Sequence, residues 1–245
     1  MRALLLAAVA ALAVAACGGG GGADNTRVAA EGAYRGTVSL GYAFEAFVLE
    51  NSEFWALYGK RTSDSFTPYG LVHGSSAPAN GVLVSTDVKD FVYTGAIDTG
   101  RLEASYVPGA SFKGAALLSG QPLAFDSTPT TPAEFDYDQS PNLASFAGRW
   151  SGVTIYGESG TIAITDTGVV SGAIGGCEVS GSLAARERGK NILASKVLLR
   201  GASCQNAIDG TGIAVVSKTP EGAAQLIVAA LNSNSTAALT FVALR

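Results

Sequence analysis

The sequence predicts an all-β protein built from two tandem small antiparallel β-barrel-like units, with β-sandwiches from the same strands as the alternative. Three observations predict it. From Ala30 onward, short segments of alternating apolar and polar residues are separated by Gly, Asn, Asp, Ser or Pro, the pattern of antiparallel strands joined by tight turns. No stretch of about twelve residues or more carries a convincing helical period. A pentapeptide also recurs: Gly32-Ala33-Tyr34-Arg35-Gly36 and Gly148-Arg149-Trp150-Ser151-Gly152 are both Gly-x-aromatic-x-Gly. Each copy is followed by a turn between two apolar runs, around Asn51 in the first and Thr167 in the second.

The chain opens with a different element. Met1-Arg2 supplies a short positive end, and Ala3 to Ala16 is an uninterrupted apolar run. At about 1.5 Å per residue in a helix this run reaches roughly 21 Å, short of a hydrocarbon core of roughly 30 Å, so it suits a cleaved export segment better than a spanning helix. Gly18 to Gly22, followed by Ala23-Asp24-Asn25-Thr26, offers nothing to pack and reads as a flexible tether over residues 17–29.

The first β unit is expected over residues 30–128. Its strands are placed near Ala33 to Leu40, Ala43 to Glu50, Glu53 to Gly59, Tyr69 to Gly74, Val82 to Asp87, Phe91 to Ile97, Arg101 to Val107 and Ser111 to Leu118, with a short closing segment at Phe125. Residues 129–145 hold Pro129, Pro132 and Pro141 together with Glu134, Asp136 and Asp138. Proline cannot donate a ladder hydrogen bond, so this stretch reads as a solvated acidic linker. The second unit, 146–245, has strands near Gly148 to Tyr156, Thr161 to Thr165, Val169 to Ile174, Cys177 to Leu183, Ile192 to Leu199, Gly212 to Ser217, Ala224 to Leu231 and Ala238 to Leu244. Eight strands per unit with short loops favour closure, which removes sheet edges.

Composition limits what such a protein binds. Lys+Arg 16 against Asp+Glu 20 gives a net charge of −4, and no basic run exists to neutralise phosphates, so a nucleic-acid partner is disfavoured. The chain has a single histidine, His73, and no Gly-x-Ser-x-Gly elbow, which argues against a Ser-His-Asp hydrolase; a zinc site would need further His or Cys ligands. Glu45, Glu50, Asp87 and Glu103 are acids that a glycosidase could use, but nothing in their spacing marks a pair. No cofactor, metal or catalytic residue is expected. Cys177 and Cys204 are expected to pair as a disulfide, closing a loop worth roughly 3.5 kcal/mol on the chain-entropy model. Aromatics crowd one hairpin of the first unit. Phe54 and Trp55 are adjacent and must face opposite sides of a strand, so Phe54, Trp55, Tyr58 and Tyr69 are candidates for a binding face.

Val14-Ala15-Ala16-Cys17 resembles the lipobox of bacterial lipoproteins. The resemblance implies cleavage of residues 1–16, diacylglycerol and acyl chains on Cys17, and a lipid-anchored place in the cell envelope; Gly18, in place of Asp, points to the outer membrane. Gly148-Arg149-Trp150 is similar to the Gly-x-Trp start of lipocalin- and avidin-type barrels. The glycine run and paired β units resemble surface lipoproteins of the transferrin-binding and factor-H-binding kind. These likenesses imply a non-enzymatic role in binding an unidentified ligand or envelope protein. The alternatives are a structural lipoprotein docking on another envelope complex through the Trp55 hairpin, and an envelope polysaccharide hydrolase.

Overall fold

The structure is a computed structural model in which residues 30–62 and 66–245 are described. The predicted export segment, Cys17 and the glycine run lie outside the described residues. The chain is all-β and forms two closed eight-stranded antiparallel barrels in tandem.

The first barrel comprises β1 (Gly32–Val38), β2 (Ala43–Val48), β3 (Glu53–Arg61), β4 (Phe66–Ser75), β5 (Ala77–Ala79), β6 (Val82–Val92), β7 (Ile97–Val107), β8 (Ser111–Leu118) and β9 (Gln121–Pro129). Neighbours in sequence pair in turn, β1 pairs with β9, and β4 pairs with β6 to close the ring; β5 only prolongs the β4 edge along β6. Two expectations change here. The run from Val82 to Val92 is one strand with a register shift between Ser85 and Val88, where a break over Val88 to Asp90 was expected, and the chain turns at Tyr93 to Ala96, inside the expected strand from Phe91 to Ile97. The segment around Phe125 is a full strand, and it supplies the closure.

A short helix, α1 (Leu143–Phe146), leads into the second barrel. This barrel comprises β10 (Gly148–Val153), β11 (Ser159–Ile164), β12 (Val169–Ile174), β13 (Cys177–Ala185), β14 (Leu193–Arg200), β15 (Ile208–Lys218), β16 (Ala224–Asn232) and β17 (Ala238–Leu244), closed by β10 against β17. The Cys177–Cys204 disulfide ties the start of β13 to the β14–β15 loop.

The repeated pentapeptide has a mechanical meaning. In both barrels it is the first strand, and its aromatic residue points inward: Tyr34 Oη donates to the Ala30 carbonyl at 2.8 Å, and Trp150 Nε1 donates to the Phe146 carbonyl at 2.7 Å. Its last glycine faces the final strand, Gly36 opposite Ser127 and Gly152 opposite Ala243. A Cβ on Gly36 would come within 1.9 Å of the Asp126 carbonyl oxygen, and one on Gly152 within 2.1 Å of that of Val242. Only glycine lets first and last strands approach closely enough to seal each ring.

Each barrel is filled by its inward side chains. Tyr34, Phe44, Phe54, Tyr58, Leu83, Leu102 and Phe112 belong to the first interior, and Trp150, Ile174, Leu193, Leu199 and Phe241 to the second. A third apolar cluster joins the two barrels. The outward faces of β2, β3, β4 and β6 (Phe47, Trp55, Leu57, Leu71, Phe91) pack against those of β15, β16 and β17 (Ile213, Val215, Ile227, Ala229, Val242). Strands that bury both faces carry apolar residues at consecutive positions, as Phe54-Trp55 and Leu226-Ile227-Val228 do. The segment between the barrels joins this cluster rather than standing in solvent. Phe135 and Tyr137 are buried in it, while Glu134, Asp136 and Asp138 turn outward to partners.

Candidate binding cleft between the barrels

Around the shared apolar cluster runs a ring of polar contacts that fixes the barrels to each other. Glu45 projects outward from β2 and is 2% exposed. Gln225 Nε2 of the second barrel donates to both of its carboxylate oxygens at 3.0 Å, Arg61 donates to Oε1, and Arg35 Nε lies 3.3 Å away. Arg35 also donates to Glu134 Oε1 at 3.0 Å and to the Lys218 carbonyl at 2.7 Å. Burial would raise the Glu134 carboxyl, but hydrogen bonds from Thr131 and the Arg35 charge outweigh it and hold the group below the usual range. Arg186 reaches back to Glu50 at 2.7 Å, Lys89 donates to the Ser235 carbonyl at 2.8 Å, and Lys190 donates to Asp138 at 2.8 Å.

On one side this ring opens into a cleft of about 400 Å³. Glu53, Trp55 and Arg186 stand at its walls, and Ser182, Lys196 and Thr211 form part of its floor on the second barrel. Trp55 is 2% exposed, yet its indole Nε1 is buried with no hydrogen-bond partner among the described residues. The Ser195 hydroxyl is unpartnered as well, but it shares the inward side of β14 with Leu193 and Val197 and faces the second interior. Buried polar atoms are nearly always paired, so the orphaned indole donor at the cleft marks where a ligand or water completes the set. Lys196 is exposed and makes no ion pair among the described residues, while Arg186 is spent on Glu50. The cleft therefore offers mainly donors.

His73 supports this wall through Glu53 and Trp55. It lies on β4, with Nε2 2.8 Å from Glu53 Oε1 and its ring 4.3 Å from that of Trp55. Burial pushes the Glu53 carboxyl up, but hydrogen bonds from His73 and Asn51 more than reverse this and keep it below the usual carboxylate range.

The four aromatic residues singled out in the sequence do not share one surface. Trp55 faces the second barrel; Phe54 and Tyr58 point into the first barrel, and Tyr69 packs at the edge of that interior. The acids weighed as a hydrolytic pair are also dispersed. Glu45 and Glu50 are held by the inter-barrel contacts, Asp87 accepts from the Ser75 amide and the Ser85 hydroxyl, and Glu103 lies on the outward face of β7. Among the described residues no group of three or more His, Cys, Asp or Glu is placed to hold a metal ion. The cleft itself was not legible beforehand, because Lys196 and Thr211 are ordinary strand residues until the second barrel is set against Trp55. Cys17 lies outside the described residues. No protein-family model matches the sequence, and no curated protein matches it.

Proposed function

We propose that this protein is a lipid-anchored lipoprotein of the cell envelope, held by Cys17 in the outer membrane, whose paired barrels bind a ligand without catalysing a reaction. The cleft at Trp55 carries this reading. It is lined by groups of both barrels, it holds a buried indole donor with no partner, and it has a free ammonium at Lys196. A ligand rich in hydrogen-bond acceptors, anionic or polyhydroxylated, complements that lining. The polar ring and apolar cluster hold the two walls at fixed spacing, so binding costs little reorganisation. Supporting the anchor are the Val14-Ala15-Ala16-Cys17 sequence and the glycine run behind it.

The test is site-specific photo-cross-linking in intact cells. A photoreactive residue at position 196 is compared with one at Val169, which is exposed on the second barrel and does not line the cleft. The reading predicts an adduct from position 196 that is absent from position 169 and is lost in Trp55→Ala. A small adduct identifies a low-molecular-mass ligand, and a stoichiometric protein adduct identifies an envelope partner. No adduct at 196, or equal adducts at both positions, contradicts it.

A further inference from the structure

One end of the first barrel carries the β1–β2, β6–β7 and β8–β9 turns, and there the interior is acidic and aromatic. Asp90 on β6 and Asp98 on β7 are direct cross-strand partners. Both project inward, Asp90 beside the inward-facing Tyr58 and Asp98 at the same parity as Leu102. Like charges opposite one another in a sheet are unfavourable, so such a pair calls for a compensating group. Tyr58 Oη donates to Asp90 Oδ2 at 2.9 Å, and Ser119 Oγ donates to Asp98 Oδ1. Asp90 Oδ1 has no partner among the described residues, although the residue is only 4% exposed.

A chain of tyrosine rings leads from Tyr58, which touches the pair, to the rim. Tyr42 and Tyr58 are near-parallel with centroids 6.3 Å apart, Tyr42 and Tyr69 meet edge to face at 5.2 Å, and Tyr69 and Tyr93 lie 6.0 Å apart. Tyr93 stands at the rim, 62% exposed. Beneath Tyr58 is an apolar cavity of about 50 Å³, lined by Phe44, Leu102 and Phe125 among others.

We propose that this end of the first barrel binds a primary alkylammonium group, with its nitrogen between Asp90 and Asp98 and its carbon chain directed into the apolar cavity. Three features select that chemistry. Two facing carboxylates favour a cation. The orphaned Oδ1 can accept a hydrogen bond from a primary ammonium, which a quaternary ammonium cannot donate. The cavity admits a short aliphatic chain and is too small for a sugar ring. An inorganic ion is a poorer fit, since the described residues provide no three-ligand cluster. The site lies within one barrel and is independent of the cleft beside Trp55.

The test is titration calorimetry of the full chain with n-butylammonium chloride, with tetramethylammonium and calcium chlorides as controls, at about pH 8. Saturable binding of n-butylammonium is expected, weakened by about tenfold or more in Asp90→Asn and in Asp98→Asn. The first variant preserves an acceptor for Tyr58, and the second alters a half-buried position, so at least one should remain folded. Asp90 is faced by Tyr58 and Asp98, with Tyr42 behind Tyr58; burial, with the Asp98 charge adding, pushes its carboxyl up to about 7 against the lowering effect of the Tyr58 hydrogen bond. Binding should therefore weaken as the pH falls below that value, and at neutral pH it should release protons, read as a dependence of the heat on buffer ionisation enthalpy. The absence of saturable n-butylammonium binding overturns the proposal. So does equal binding of tetramethylammonium or calcium, or unchanged affinity in folded Asp90→Asn.

Discussion

Replacing Glu45 by alanine removes the acceptor that joins the two barrels. Gln225 is fully buried and its Oε1 already lacks a partner, so the substitution leaves the whole amide unsatisfied. Arg35 retains Glu134 and the Lys218 carbonyl, and Arg61 retains its place over the Phe66 ring at 4.8 Å. Breaking one side of a buried charged pair costs about 3 to 5 kcal/mol, and the orphaned amide accounts for about 1 to 3 of it. Gln225→Leu alone removes two charge-assisted bonds but leaves Glu45 with both arginines, at about 1 to 2 kcal/mol. In the double variant no buried amide remains to be orphaned. Its loss should fall short of the sum of the single losses by about 1.5 kcal/mol or more. Urea unfolding of the four proteins, followed by tryptophan fluorescence, measures this coupling. Trp55 reports the interface and Trp150 the second interior, and both should change in one transition. Additive losses, with coupling below about 0.5 kcal/mol, would refute direct engagement of Glu45 by Gln225.

Three further outcomes follow from the same geometry. Because the Asp90 carboxyl is raised from 3.8 to about 7 in the folded chain, the native state holds a proton there that the unfolded state has lost. Stability from this group is complete below about pH 4 and declines as the pH rises to about 7; Asp90→Asn should exceed the native protein at pH 8 by up to about 4 kcal/mol, an advantage that thermal melts should find absent near pH 4. Cys177→Ser with Cys204→Ser should cost about 3.5 kcal/mol in denaturant unfolding, since the bond closes a loop of 27 residues. Gly36→Ala places a methyl group on the Asp126 carbonyl and should cost more than about 3 kcal/mol, measured as a lowered melting temperature or loss of soluble protein, whereas alanine at Gly41, which has open space but a positive φ, should be milder.

The strands were readable where one face meets a core and the other meets water. That holds for most of β10 to β14, where observed and expected strands nearly coincide, and for the recurring pentapeptide that opens each barrel. Reading failed where a residue's role depends on the other barrel. Phe54 and Trp55 read as facing opposite sides of a strand and so as a candidate binding face, whereas Ile213 and Ile227 cover the outer side. The acids at Glu134, Asp136 and Asp138 suggested solvent; the alternating Phe135 and Tyr137 were the better signal, since they bury the segment between the barrels. Asp90 fell in the expected break between the strands Val82 to Asp87 and Phe91 to Ile97. A register shift carries the strand through that break and puts Asp90 on the inward face.

Lipid attachment at Cys17 is the most direct test of the account, because the proposed place in the envelope depends on it. Cells expressing the protein with cysteine or serine at position 17 are labelled with an alkyne palmitate analogue and fractionated. The account predicts a labelled native protein that sediments with outer membranes, and an unlabelled Cys17→Ser protein that leaves them. Native protein without label, or Cys17→Ser protein still bound to the membrane, would contradict it.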